Sequence, residues 1–279
     1  MINRLTNCCL LVASLIIVVG FTAGCEQAHK QETLVYEYGP WADPNLVVPV
    51  YAERAIEAAG GRQAWENARK LCLDCVLTFY QPDGSFYLTE QRHEVCPWAG
   101  SVRISAEEPQ GKVICQLSPD KFGVVEGDYR LYSLPIGLKA RFFAEAILDI
   151  TIAPLRFLDR QAEFTKRPEP VKIKGKWYHP IEVYRVKCEP NDVQGTSYVT
   201  RERLAAVFYQ NRDSSLVDMI CFAGVDGDKF LTVRGYDYRK IEKNSVAVPA
   251  KIEIFRTDAA GTLQQRLVKI DYYLLKHFD

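Results

Sequence analysis

From residue 72 to the end of the chain, short segments of alternating apolar and polar residues follow one another, separated by turn sequences. The first two, 72–81 and 86–95, flank Pro82-Asp83-Gly84-Ser85, which is typical of a hairpin turn. Further strands are predicted over 102–106, 113–117, 121–125, 129–132, 164–166, 171–173, 177–187, 204–210, 216–222, 230–241, 250–256 and 263–275. Because strands joined by short turns pair antiparallel, the sequence predicts a mainly β (α+β) domain.

Two other parts of the chain follow the helical period. Ahead of the first strand, apolar residues recur at helical spacing up to Gly60-Gly61, which predicts a stop, and a second short helix follows. In the middle of the chain, 136–150 places Leu138, Phe142 and Ile150 on one face with Ile147 beside it, and 152–158 is also apolar. This region predicts an amphipathic helical insertion between two sets of strands.

The first 25 residues resemble the signal of a bacterial lipoprotein. Arg4 precedes an uncharged run over 8–23, whose apolar core is shorter than the ~20 residues that a spanning helix needs. Ala23-Gly24-Cys25 resembles a lipobox, in which diacylglycerol is joined to the thiol and the peptide is cut before the cysteine. We therefore expect residues 1–24 to be a signal peptide and Cys25 to be the lipidation site. Ordinary cleavage and an uncleaved anchor are the alternatives.

The residues after Cys25 predict where the protein lies. The resemblance implies the cell envelope, with the lipid membrane as a partner through Cys25. Since Glu26 stands where an Asp would favour the inner membrane, the outer membrane facing the periplasm is expected. Residues 25–47 read as a tether, polar at first and aromatic at Trp41, and 48–279 as one domain. Lys plus Arg and Asp plus Glu each number 35, so no net field favours nucleic acid as a partner.

The cysteines after the anchor are Cys72, Cys75, Cys96, Cys115, Cys188 and Cys221. Cys72 and Cys75 have the spacing of a redox pair, but they open a predicted strand, where they would lie on opposite faces and ~10 Å apart. Structural cysteines are therefore expected. If the first hairpin turn contains one bulge, Cys72 opposes Cys96 and a disulfide is predicted; with a two-residue turn Cys72 opposes Val95 instead. No second close Cys or His pair completes a zinc site, so no metal is expected.

Three features together resemble the LolA/LolB-like half-barrel group of exported proteins and lipoproteins. They are Ala58-Ala59-Gly60-Gly61 with Ala64-Trp65, the mid-chain insertion, and Tyr236-Asp237-Tyr238 followed by Val248-Pro249-Ala250-Lys251 and a long last strand. The resemblance covers residues 48–277. It implies a curved antiparallel sheet wrapped around helices, with the insertion on its concave side and room there for acyl chains. No lipid-handling residue of that group matches a position here.

The candidate ligand site lies on the insertion. Leu138, Phe142, Ile147 and Ile150 would line an apolar cavity if the concave side is incompletely filled; otherwise they belong to a packed core. The first hypothesis is therefore a non-catalytic lipoprotein that binds a lipid, an acyl chain or a lipoprotein. The second is a structural or assembly lipoprotein of the envelope with a filled core.

The sequence contains no recognisable catalytic motif. The histidines His29, His93, His179 and His277 are scattered, and His93 is predicted to face outward from its strand. The sequence contains no H-E-x-x-H, G-x-S-x-G, P-loop or dinucleotide fingerprint. We therefore expect no catalytic residue and no cofactor. An envelope hydrolase with dispersed residues is the third hypothesis.

Overall fold

Strand β1 (Lys70–Tyr80) shows why this chain forms a sheet with one buried face. Its side chains alternate strictly, and Leu71, Leu73, Cys75, Leu77 and Phe79 are all fully buried. The strand pairs on one side with β2 (Phe86–Cys96) and on the other with the last strand, β13 (Leu263–Phe278). The pairing of β1 with β13 joins the beginning and the end of the domain, so that two successive meanders form one sheet.

The computed structural model describes residues 41–108, 111–119, 121–127, 134–135, 138–190, 197–225, 229–241, 245–258 and 262–278. Residues 1–24, predicted to be a signal peptide, Cys25 and the strand predicted over 129–132 lie outside these residues. The other strands are β3 (Ser101–Glu108), β4 (Gly111–Ser118), β5 (Lys121–Glu126), β6 (Ala162–Lys166), β7 (Val171–Ile173), β8 (Lys176–Pro190), β9 (Ser197–Asn211), β10 (Val217–Val225), β11 (Lys229–Lys240) and β12 (Ala247–Thr257). The helices are α1 (Val50–Ala58), α2 (Arg62–Glu66), α3 (Ala140–Thr151) and a 3-10 helix (Ala153–Leu158).

The sheet is antiparallel throughout and open. Its strand order is β5-β4-β3-β2-β1-β13-β12-β11-β10-β9-β8-β6, and β7 pairs with β8. The helix α3 packs against β3 and β4 in one half and against β10, β11 and β12 in the other. Because these strands are far apart in the strand order, the sheet must curve around α3. The predicted fold class, a curved antiparallel sheet with an amphipathic insertion on its concave side, is thus confirmed.

The short helices before the sheet close one side of the core. Ala52, Ala55 and Ile56 of α1 are fully buried. Beyond its end, Gly60 has a φ of +118°, and a Cβ there would lie 2.6 Å from the Ser245 carbonyl oxygen. This close approach, which only glycine allows, explains why the predicted Gly60-Gly61 stop is found here. No helix among the described residues has both the length and the apolar character to cross a membrane.

The register of the first hairpin differs from both predicted alternatives. Tyr80 pairs with Phe86, so five residues form the turn and Glu94, rather than Cys96 or Val95, lies opposite Cys72. The Cys72 thiol lies 3.8 Å from the Glu94 carboxylate, and no disulfide joins Cys72 to Cys96. The prediction of this disulfide was wrong because it required a bulge after the turn, whereas the ladder runs without one from the Tyr80–Phe86 pair to the Leu71–Val95 pair. In a β ladder a change of one residue in the turn moves every cross-strand pair.

Candidate functional site

An open cleft lies beside α3, between this helix and strands β6, β8, β9 and β10. Its volume is about 560 Å³, which falls within the ~300–1,000 Å³ of typical small-molecule sites. Helix α3 contributes Arg141, Phe142, Glu145, Leu148 and Asp149 to the lining. The sheet contributes Leu117, Ser118, Ala162, Phe164, Val183, Arg185, Ala205, Ala206, Phe208, Phe222 and Ala223.

Aromatic rings provide the apolar surface of the cleft. Phe142 of α3 meets Phe222 of β10 edge to face, with 5.1 Å between ring centroids. Phe164 of β6 and Phe208 of β9 lie 6.3 Å apart, and both rest on Phe157 of the 3-10 helix at 5.0 and 6.0 Å. Because such contacts hold the rings in fixed orientations, the apolar surface is already formed without a ligand.

Charged side chains lie around this apolar surface. Three are cationic and three anionic, so their formal sum is zero: Arg141, Arg156, Arg185, Glu145, Asp149 and Asp159. Arg141 Nε donates to Glu145 Oε1 at 2.8 Å, and Arg156 is paired with Asp149. Burial raises the pKa of Asp159. With these opposite charges in balance, the cleft attracts neither anions nor cations by net charge.

The segment over residues 41–43, here called the strap, forms one wall of the cleft. Its Trp41 Nε1 donates to the Trp98 carbonyl oxygen at 2.9 Å, and the Arg156 guanidinium lies 4.9 Å above the indole ring. The Asp43 amide donates to Leu158 O, and the Arg160 amide donates to Trp41 O, both at 3.0 Å. The strap therefore joins the β2–β3 turn to the end of the 3-10 helix. Residues 41–43, at the aromatic end of the predicted tether over 25–47, therefore pack on the body.

Of the four predicted cavity residues, Phe142 is the one that lines the cleft. Ile147 and Ile150 are buried to within 1% in the core, and Leu138 is 6% exposed. The sequence placed all four near one face, but α3 is enclosed on most sides by the sheet and the 3-10 helix, so its apolar residues divide between core and cleft. Sequence reasoning missed Trp41 and the aromatic residues Phe164, Phe208 and Phe222. The one sequence signal for the three Phe residues was that aromatic side chains recur in the predicted strands of the second half of the chain.

A buried polar cluster lies away from the cleft, beneath α3. His93 is fully buried, against its predicted outward orientation, and Phe143 packs edge to face on its ring at 6.4 Å. Tyr272 Oη donates to His93 Nδ1 at 2.7 Å, and His93 Nε2 donates to Gln91 Oε1 at 3.1 Å. The Cys75 thiol donates to the Gln91 carbonyl oxygen at 3.4 Å and lies 3.8 Å from His93 Nε2.

Cys75 and His93 are residue types that serve as a nucleophile and a base, but their pKa values do not suit these roles. Burial lowers the pKa of His93 to about 3 and raises the pKa of the Cys75 thiol well above its usual value. Burial also raises the pKa of Cys72, on the opposite face of β1, to about 11. A catalytic cysteine requires a lowered pKa and access, so we assign these groups to the packing of the sheet. No group of three His, Cys, Asp or Glu side chains among the described residues is arranged to hold a metal ion.

Comparison with solved structures finds proteins of similar fold. The chain is similar to the LolA superfamily protein NE2245 from Nitrosomonas europaea, with 12% identity, 84% of this chain and 95% of that chain covered, and a TM-score of 0.46. It is also similar to a DUF1329 family protein from Desulfovibrio piger, with 12% identity, coverage of 82% and 92%, and a TM-score of 0.41. No protein-family model matches the chain, and no curated protein sequence matches it.

Proposed function

We propose that this protein is an exported lipoprotein, anchored through Cys25, that binds a hydrophobic ligand in the cleft beside α3 and is not an enzyme. The ligand would be a lipid, an acyl chain or the acyl part of another lipoprotein. The observation that carries the proposal is the preformed surface of Phe142, Phe164, Phe208 and Phe222 in an open cleft of about 560 Å³. Each methylene moved from water to this surface would contribute ~0.8 kcal/mol.

The remaining lining agrees with a neutral or amphiphilic ligand. The paired charges around the rings would face the polar end of such a molecule or the solvent. Their zero formal sum gives no electrostatic preference for an anion such as nucleic acid. The proposed location is the envelope, at the outer membrane facing the periplasm.

A second function is favoured by one observation. Helix α3 fills the concave side of the sheet, and Phe143, Ile147 and Ile150 are at most 1% exposed. A structural lipoprotein that assembles with other envelope proteins would need such a filled core and no ligand. The two functions differ in whether the cleft is ever occupied.

Binding of a fluorescent fatty acid to the full chain distinguishes them. Ala162 lines the cleft from the edge strand β6 and is partly exposed, so Ala162→Trp adds a ring to the cleft. We expect binding by the wild type and at least ~10-fold weaker binding by Ala162→Trp, equivalent to ~1.4 kcal/mol. The control is Leu88→Trp, at a position that is 54% exposed and does not line the cleft.

The unfolding temperatures of both variants are measured in parallel. Ala162→Trp should melt within a few degrees of the wild type, so that a loss of binding reports on the cleft. Absence of fatty-acid binding in the wild type would contradict the ligand-binding proposal and favour the structural alternative. Equal weakening by Leu88→Trp would show that the fatty acid binds elsewhere.

A further inference from the structure

The segment between the strap and α1 exposes a small apolar surface. Val47 is 93% exposed and Val50 is 70% exposed, and Pro49 between them is also exposed. A single exposed aliphatic side chain is ordinary on a soluble domain, but three within four residues form a patch that water solvates poorly.

The backbone beneath this patch is held in one conformation. The Arg62 guanidinium donates to the carbonyl oxygen of Pro44 and, at 3.0 Å, to that of Leu46. Its position is fixed by an ion pair with Glu53, at 2.7 Å between Nη2 and Oε2. Because the segment is already ordered, burying Val47 against a partner costs little conformational entropy.

One positive charge lies next to the patch. Arg54 follows Val50 by one helical turn on α1, so both side chains project from the same face. Arg54 is exposed and makes no ion pair within the described part of the chain; Glu57 lies a further turn away from Val50. Exposed aliphatic side chains enter the interface of a bilayer, and a basic residue beside them is attracted to anionic lipid head groups.

The position of the patch in the chain indicates which surface it meets. The described body begins at the strap, six residues before Val47, and Cys25 precedes Trp41 by sixteen residues. Sixteen residues reach at most ~55 Å. A lipid on Cys25 therefore keeps the patch at a high effective concentration at the bilayer, where even a weak contact is populated. Three small side chains are far fewer than the ~20–30 residues a side of a stable protein interface.

We propose that Val47, Pro49, Val50 and Arg54 form a membrane-docking surface that lies on the bilayer holding the Cys25 lipid. The inference rests on the anchor in the proposed function but not on a ligand in the cleft.

The test uses the full lipidated chain in vesicles that contain phosphatidylglycerol and a phosphatidylcholine brominated in its acyl chains. Val47→Trp introduces a fluorophore into the patch, and Phe86→Trp is the control, since Phe86 is 63% exposed on β2. Relative to the wild type, we expect the added tryptophan at position 47 to be quenched at least twofold more than the one at position 86. Adding Val50→Asp to Val47→Trp should remove that difference.

Flotation of the same samples tests the Cys25 anchor separately from the docking surface. Protein that floats with the vesicles and shows equal quenching at positions 47 and 86 would retain the anchor and overturn the docking surface. Protein that does not float would overturn both the anchor and the docking surface. Fatty-acid binding to the cleft is unaffected by either outcome, because it is measured separately without vesicles.

Discussion

His93 lies at a point where the polar residues of a strand face the interior. On β2 the buried polar side chains are Thr89, Gln91 and His93, whereas Phe86 and Leu88 point outward and are more than half exposed. His93 is hydrogen-bonded to Tyr272 and to Gln91, and Thr89 donates to the Glu108 carboxylate at 3.2 Å. Burial of a polar group is tolerated when its partners are buried with it, and this pattern explains why alternation alone misplaced His93.

The stability of the protein should depend on the ionisation of His93. Burial lowers its folded-state pKa to about 3 from the ordinary histidine pKa of about 6.5. Below that ordinary value the unfolded chain binds a proton that the folded protein does not. The contribution of the neutral His93 to the free energy of unfolding is therefore fully present above about pH 6.5. It is lost as the pH falls toward about 3, at up to ~1.4 kcal/mol per pH unit.

Urea unfolding at about pH 7 and about pH 5 measures this effect, with an expected loss of ~2 kcal/mol from His93. The lowered pKa of His179 acts in the same direction, so the control is His93→Gln, which removes the titration at position 93 alone. A His93→Gln variant with the same loss between the two pH values as the wild type would contradict the assignment.

At the scale of elements, α3 has two kinds of apolar residue. Ile147 is fully buried, and its side chain has core atoms on every side. Phe142 is also largely buried, but one side of its ring lines the cleft and meets Phe222. A void left by Ile147 would be closed, whereas a void left by Phe142 would open into the cleft.

Alanine at these two positions should therefore have different effects. We expect Ile147→Ala to lower the free energy of unfolding by ~2–5 kcal/mol without changing fatty-acid affinity. Phe142→Ala should cost less than the ~3–5 kcal/mol usual for a buried Phe, because water or a ligand can fill the space, and it should change the affinity. Chemical denaturation and fatty-acid titration of both variants provide the measurement. If Phe142→Ala lowered the free energy of unfolding by the full ~3–5 kcal/mol and left fatty-acid binding unchanged, the filled core would be favoured.

At the scale of the whole molecule, the strap is the link between the proposed anchor and the sheet. It is hydrogen-bonded to Trp98 on one side of the core and to Leu158 on the other.

The proposed anchor has a direct test. Because diacylglycerol is joined to the thiol of the lipobox cysteine, Cys25→Ser should give a precursor that is neither lipidated nor cleaved. Intact-mass spectrometry and detergent-phase partitioning of the full chain would report both properties, and Cys72→Ser serves as the control that leaves the lipobox intact. If Cys25→Ser left the mature mass unchanged apart from the substitution, the lipoprotein assignment would fail.

The sequence alone determined the elements: alternation located the strands of the described chain to within about three residues, except that β9 begins at Ser197, before the predicted residue 204, and the helical period located the insertion. These signals are local, since they arise from which neighbours along the chain share a face. Tertiary structure decided what lay on the faces. The five-residue turn set the register of Cys72. The pairing of β1 with β13 buried His93. The curvature of the sheet placed Phe142 at the cleft and Ile147 in the core. The cleft itself joins Trp41, α3 and β6 to β10, which are distant in sequence, and only their packing brings them together.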